Sequence, residues 1–151
     1  MLKNISPLLN ADVLYALKSM GHGDYLILSD TNFPADSIAR QTVLGELLRM
    51  ENTTSAQAAE AILSLMPLDT FIDNAAERME IVGSPNELPD VQKEVQAVID
   101  TAEGKHWPLK SIERFAFYEK AKKSYAVIQT AERRFYGCFI FTKGVIPPDA
   151  G

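Results

Sequence analysis

Tyr25-Leu26-Ile27-Leu28 is a four-residue apolar run with no polar alternation. A run this short and this uniform reads as a strand buried on both faces, and such a strand needs helices packed above and below it. The flanking segments supply them. Asn10 or Asp12 can cap a first helix carrying Val13, Leu14, Leu17 and Met20 on one face, with Gly21 placed to end it. Thr54 and Gln57 form a capping box for a helix running through Met66, stopped by Pro67. Asp90 to Ala102 places Val91, Val95, Val98 and Ile99 on one stripe, and Arg114 to Ala121 reads as a further helix. Strands are expected at Thr42–Leu44, Met79–Val82 (closing at Gly83), Tyr125–Thr130 and Gly137–Thr142. An extended segment is expected from Leu68 to Phe71, and a loop over Thr31–Asp36, fixed by Pro34. Alternation of this kind predicts an α/β fold with helices covering a mixed sheet. It leaves the strand order open.

At 151 residues the chain fits one domain, residues 1–151, large enough to bury a full core. A net charge of −5 argues against a nucleic-acid partner, because neutralising phosphates takes a basic face. The local basic clusters, Lys120, Lys122 and Lys123, then Arg133 and Arg134, read as solvated faces. No uncharged apolar run approaches the roughly 18 residues a bilayer span needs. Met1–Pro7 has no apolar core of a secretory signal. The single cysteine, Cys138, excludes an internal disulfide and fits a reducing, cytoplasmic compartment.

The chemistry centres on Gly21-His22-Gly23-Asp24, between the first helix and the first strand. Histidine exchanges a proton near neutrality, and glycine on both sides allows close approach. Asp30 stands at the far end of the strand, so His22 and Asp30 can face one cleft if both lie in loops at its rim. Alone, His22 also reads as a turn residue capping the helix, and Asp30 as the start of an Asx turn. Arg114 and Tyr118 are four apart on one helix and share a face, where a guanidinium and a phenol can bind a polyol and move a proton. They read equally as a surface ion-pair former and a packing ring. Asp69 is a hydroxyl acceptor or a turn residue, and Gly137, after Tyr136, would let a ligand approach the backbone. Two distant histidines and one cysteine make no recognisable zinc set, and no phosphate-binding glycine loop is present.

Taken together, Met20-Gly21-His22-Gly23-Asp24, Ser29-Asp30 with Asn32-Phe33-Pro34-Ala35, Pro67-Leu68-Asp69-Thr70-Phe71, Arg114-Phe115-Ala116-Phe117-Tyr118-Glu119 and Tyr136-Gly137 resemble the D-ribose pyranase and L-fucose mutarotase family (RbsD/FucU). The likeness runs from Leu2 to Val145, and the Arg114–Glu119 block points to the fucose branch. The resemblance implies a three-layer α/β/α subunit with a mixed central sheet. It implies assembly into rings, often decamers, with sites near subunit contacts. It also implies interconversion of the α and β anomers of a pyranose, L-fucose or a related monosaccharide, without metal or organic cofactor. His22 would be the proton donor and Tyr118 a second catalytic group, with Asp30, Asp69, Arg114, Tyr136 and Cys138 contacting sugar. Two positions depart from the family pattern. Cys138 replaces an asparagine, which removes an amide and puts the sugar's identity in question, and Asn32 replaces a common histidine. The alternative reading is a non-catalytic sugar-binding or sensing protein using the same pocket.

Overall fold

The computed structural model describes residues 1–150; Gly151, the last residue of the expected 1–151 domain, lies outside the described residues. Eleven elements follow one another among these residues. In order they are α1 (Ala11–Ser19), β1 (Tyr25–Ser29), α2 (Ala35–Ala39), β2 (Leu48–Met50), α3 (Ser55–Leu63) and β3 (Ala76–Met79), then α4 (Asp90–Glu103), β4 (Lys110–Ile112), α5 (Arg114–Lys122), β5 (Ala126–Thr130) and β6 (Phe139–Thr142). The six strands form one sheet in the order β2-β5-β1-β6-β3-β4. β5 is parallel to β1 and β2, and β4 to β3, whereas β6 runs antiparallel to its neighbours β1 and β3. Five strands therefore point one way and β6 the other, which gives the sheet one edge of parallel-strand C-termini and an opposite edge of N-termini.

The strand period of two divides the core into layers. Leu26, Leu28, Ala126, Ile128, Phe139 and Phe141 face α1, α3 and α4, while Ile27, Val127 and Ile140 face α2 and α5. This is the three-layer α/β/α arrangement expected. Phe139 and Phe141 are fully buried and stack at 6.3 Å, each contributing about 1.5–3 kcal/mol by leaving water.

Locally specified helix signals are realised. The Asn10 side chain accepts from the Val13 N–H at 2.9 Å, Thr54 and Gln57 complete both halves of their capping box, and Gly104 ends α4 in the left-handed conformation.

Several expected boundaries move. Thr42–Leu44 is a turn rather than a strand, with Val43 exposed and Gly45 at φ +81; the strand comes later, at Leu48–Met50. Met79–Val82 leaves the sheet after Met79, because Ile81 pairs with Ser84 in a tight turn around Gly83. Leu68 makes only an isolated bridge to Lys143 before the chain turns. The expected Thr31–Asp36 loop gives way at Ala35 to the short helix α2, and the edge strand β4 carries no apolar run that would announce it. The basic clusters are not simple solvated faces. Lys120 pairs with the buried Glu77, and Arg134 bridges Glu94 and Glu132 at 2.6 and 2.9 Å. No helix among the described residues is long and apolar enough to cross a membrane.

Candidate active site

The C-terminal ends of the parallel strands are where ligands bind in open α/β sheets, because loops diverge there and leave a crevice. A cleft of about 360 Å³ opens at this edge, lined by Asp30, Asn32, Phe33, Met79, Arg114, Tyr118, Phe135, Tyr136 and Cys138. Asp30 follows β1 and is 4 % exposed. One carboxylate oxygen accepts the N–H groups of Asn32 and Phe33 at 3.0 and 2.9 Å, and the other accepts the Gly137 N–H at 3.2 Å. The Asx turn is realised, and its local bonds fix the carboxylate against the cleft floor. α5 starts on the Glu113 cap and presents Arg114 and Tyr118 side by side, with Nε donating to the phenolic oxygen at 3.1 Å. Phe33 packs edge-on against Tyr118 at 5.4 Å and holds the ring upright.

The far wall is the crossing into β6. Tyr136 sits at φ +63, a left-handed conformation that costs a non-glycine residue about 1–3 kcal/mol. Its hydroxyl accepts the Val82 N–H at 3.2 Å. Gly137 is required by crowding rather than by turn geometry: a Cβ there would lie 2.9 Å from Glu132 Cγ and 3.0 Å from Ser55 Oγ. Cys138 is buried, and desolvation, reinforced by the Asp30 carboxylate, pushes its thiol well above the ordinary range. It meets the cleft as a small, neutral, weakly hydrogen-bonding group.

His22 is not in this cleft. It precedes β1, whereas Asp30 follows it, and five residues at about 3.3 Å each put about 16 Å of strand between the two turns. The expectation that His22 and Asp30 face one cleft within a chain is therefore corrected by β1, which runs unbroken between them. His22 instead meets Asp69 at the opposite edge, Nε2 to Oδ2 at 3.2 Å. The imidazole is 46 % exposed and the carboxylate 7 %. Phe71 stands edge-on to the imidazole at 5.7 Å.

This dyad is assembled on the end of β6. Lys143 accepts the Gly23 N–H at 2.9 Å and donates to the Asp24 carbonyl at 2.8 Å. On its other side Thr142 accepts the Asp69 N–H at 3.0 Å, and the Gly144 N–H donates to Pro67 at 2.8 Å. The Lys143 ammonium caps the α1 carbonyls of Leu17 and Met20. His106, by contrast, pairs with Asp100 at 2.7 Å, away from both clusters.

Of the residues named from the sequence as one site, the structure brings Asp30, Arg114, Tyr118, Tyr136 and Cys138 to one cleft and His22 and Asp69 together at the other edge, a separation the sequence did not show. It also missed Met79, Phe135 and the Lys143-Gly144 template. A glycine two residues past an apolar strand was the one available signal for the template.

Comparison with known proteins identifies the family. The model of the RbsD / FucU transport protein family matches residues 3–146. The chain is 42 % identical over 148 residues to a human protein named fucose mutarotase, covering 96 % of this chain and 94 % of that one. A solved structure described as a putative sugar binding protein superposes with a TM-score of 0.95 at 62 % identity, covering 97 % of each chain. The fucose mutarotase of Streptococcus pneumoniae, solved in complex with L-fucose, superposes with a TM-score of 0.86 at 32 % identity, covering 97 % of this chain and 100 % of that one. Matched over nearly its whole length in sequence and in fold, this chain belongs to the RbsD/FucU family.

Proposed function

We propose that this protein is a sugar mutarotase that interconverts the α and β anomers of L-fucose or a closely related pyranose. The observation that carries the reading is the cleft itself. A fixed carboxylate (Asp30), a guanidinium (Arg114) and two phenols (Tyr118, Tyr136) converge on about 360 Å³, beside an apolar wall of Phe33, Met79 and Cys138. That pairing of polar and apolar walls suits a polyol bearing a methyl group. The fucose mutarotases of similar sequence and fold support the same substrate.

The chemistry needs only proton transfers. One group takes the proton of the anomeric hydroxyl while another delivers a proton to the ring oxygen. The C–O bond opens to the aldehyde, the carbonyl rotates, and the steps reverse on the other face. Protons balance and no covalent bond to protein forms. Positioned acid–base groups accelerate such steps by about 10²–10⁴. In this reading Tyr118, beside the Arg114 cation, is one proton-transfer group and His22 the other. Asp30, Arg114, Tyr136 and Cys138 border the sugar, and Asp69 holds His22.

His22 and Tyr118 lie at opposite sheet edges, so the reading requires two copies. The His22–Asp69 edge of one chain would face the cleft of the next. Both edges carry exposed aromatic rims, Phe71 at 73 % beside the dyad and Phe115 and Phe135 at 64 % and 73 % beside the cleft. Two different patches on opposite edges make a heterologous contact, the kind that generates a ring when the rotation between copies closes. A decamer is the ring size the family resemblance suggests. The lone buried thiol fits a cytoplasmic setting.

Saturation-transfer NMR between the α and β signals of L-fucose tests the proposal. Wild-type protein at catalytic concentration is expected to exchange the anomers well above the buffer rate, and His22→Ala and Tyr118→Phe to bring exchange close to it. Binding of L-fucose with no exchange above background would establish the non-catalytic sugar-binding alternative.

A further inference from the structure

α4 packs on the sheet through an apolar stripe, yet one member of that stripe is polar. Gln92 lies three residues before Val95 and seven before Ile99, on the buried face, and is fully buried. Both of its amide N–H groups are used, and its oxygen has a donor. Nε2 donates to the Met79 carbonyl at 2.8 Å and to the Tyr136 carbonyl at 3.1 Å, while Oε1 accepts from Arg78 Nη1 at 3.2 Å. Arg78 is itself 6 % exposed. Its other contact is Nη2 to the Pro85 carbonyl at 2.9 Å, and its Nε has no partner. Among the described residues no carboxylate is in salt-bridge contact with it. Burial draws its pKa down, with Glu80 opposing at longer range, yet a guanidinium keeps its charge at neutral pH.

A buried cation held by neutral acceptors is a costly arrangement that packing alone would not require. Its consequence is directional. Arg78 can only donate, so it fixes the amide with Oε1 toward itself and Nε2 toward the two carbonyls. Those carbonyls belong to Met79 and Tyr136, which line the cleft from two different strand ends. Tyr136 is also the residue in the left-handed conformation, so its peptide needs an external anchor.

We propose that Gln92, oriented by Arg78, is a positioning residue that sets two walls of the sugar cleft, Met79 and Tyr136, without touching the ligand. The proposal rests on the reading of the cleft as the sugar site. Gln92→Glu and Gln92→Met separate its parts. The glutamate keeps an acceptor for Arg78, and so keeps the fold, but faces both carbonyls with an oxygen; the methionine fills the space and bonds neither side. The KM for L-fucose anomer exchange is expected to rise about tenfold in both, with kcat within about threefold of wild type, the pattern of lost ground-state binding. In sugar-free protein the amide NMR signals of Gly137 and Cys138 should shift, while those of Gly23 and Gly144, at the other edge, stay in place. A wild-type KM with unshifted Gly137 in Gln92→Glu overturns the proposal, as does activity that merely follows the folded fraction. If wild-type protein exchanges no L-fucose, the functional reading falls, and the Gly137 shifts alone still decide whether Gln92 positions this wall.

Discussion

Replacing Gly144 by alanine probes whether the end of β6 holds the His22–Asp69 dyad. Gly144 follows β6 and is pressed against the segment before β3. An added Cβ would stand 2.7 Å from the Leu68 carbonyl carbon and 2.8 Å from Asp69 Cα, where ordinary contact begins at 3.4 Å. Both neighbours are backbone and cannot rotate away, so the Leu68–Asp69 peptide must retreat by about 0.7 Å to relieve overpacking. The His22–Asp69 contact of 3.2 Å then stretches toward about 3.9 Å, outside hydrogen-bond range. The stability cost of such overpacking is about 1–3 kcal/mol, read as a lower midpoint in urea. Misplacing a proton-transfer group by a fraction of an ångström costs about 10- to 100-fold in kcat, while KM should stay within about threefold because the cleft is at the other edge. Saturation-transfer rates over a range of L-fucose concentrations separate the two constants. A folded Gly144→Ala protein with wild-type kcat would refute the claim that this template governs the dyad.

Gly137→Ala places the same perturbation at the cleft, where a Cβ meets Glu132 and Ser55 and displaces the N–H that binds Asp30; KM measured by the same NMR assay should rise about tenfold, with the smaller change in kcat. Cys138 should resist iodoacetamide at neutral pH, reacting at least about 100-fold more slowly than in urea-unfolded chain, because burial keeps the thiol protonated and covered. The sign of its stability linkage follows. The unfolded thiol ionises first as pH passes its ordinary value of 9.0, so the folded state, which retains the proton, loses stability as pH rises further, checked by urea midpoints across that range.

What the sequence disclosed divides by the range of the interaction responsible. α1, α3 and α4 were legible because their apolar stripes, and the Asn10 and Thr54 caps of the first two, act within a turn or two. β1, β5 and β6 were legible as apolar runs, but not their order, since pairing β1 with both β5 and β6 is decided a hundred residues away. α2 was hidden behind Phe33-Pro34, which reads as a loop until Pro34 is seen to start the helix. Candidate site residues could be named singly, because carboxylate, phenol and imidazole announce their chemistry. Their grouping could not. The period of β1 says nothing about which loops meet, and only the sheet shows His22 and Asp30 on opposite edges. Arg78 and Gln92 were invisible for a related reason: polar residues in core stripes look like interruptions until their partners are known.

The separation of the two clusters makes a mixing experiment the most direct test of the whole account. His22→Ala chains retain the cleft and Tyr118→Phe chains retain the His22–Asp69 edge, so each alone should exchange L-fucose anomers at close to the buffer rate. Refolded together in equal amounts, they should recover about a quarter of wild-type exchange, the share of contacts in a randomly mixed ring that pair an intact cleft with an intact histidine. A mixture as inactive as its components would contradict the account, because it would mean that no site is built from two chains.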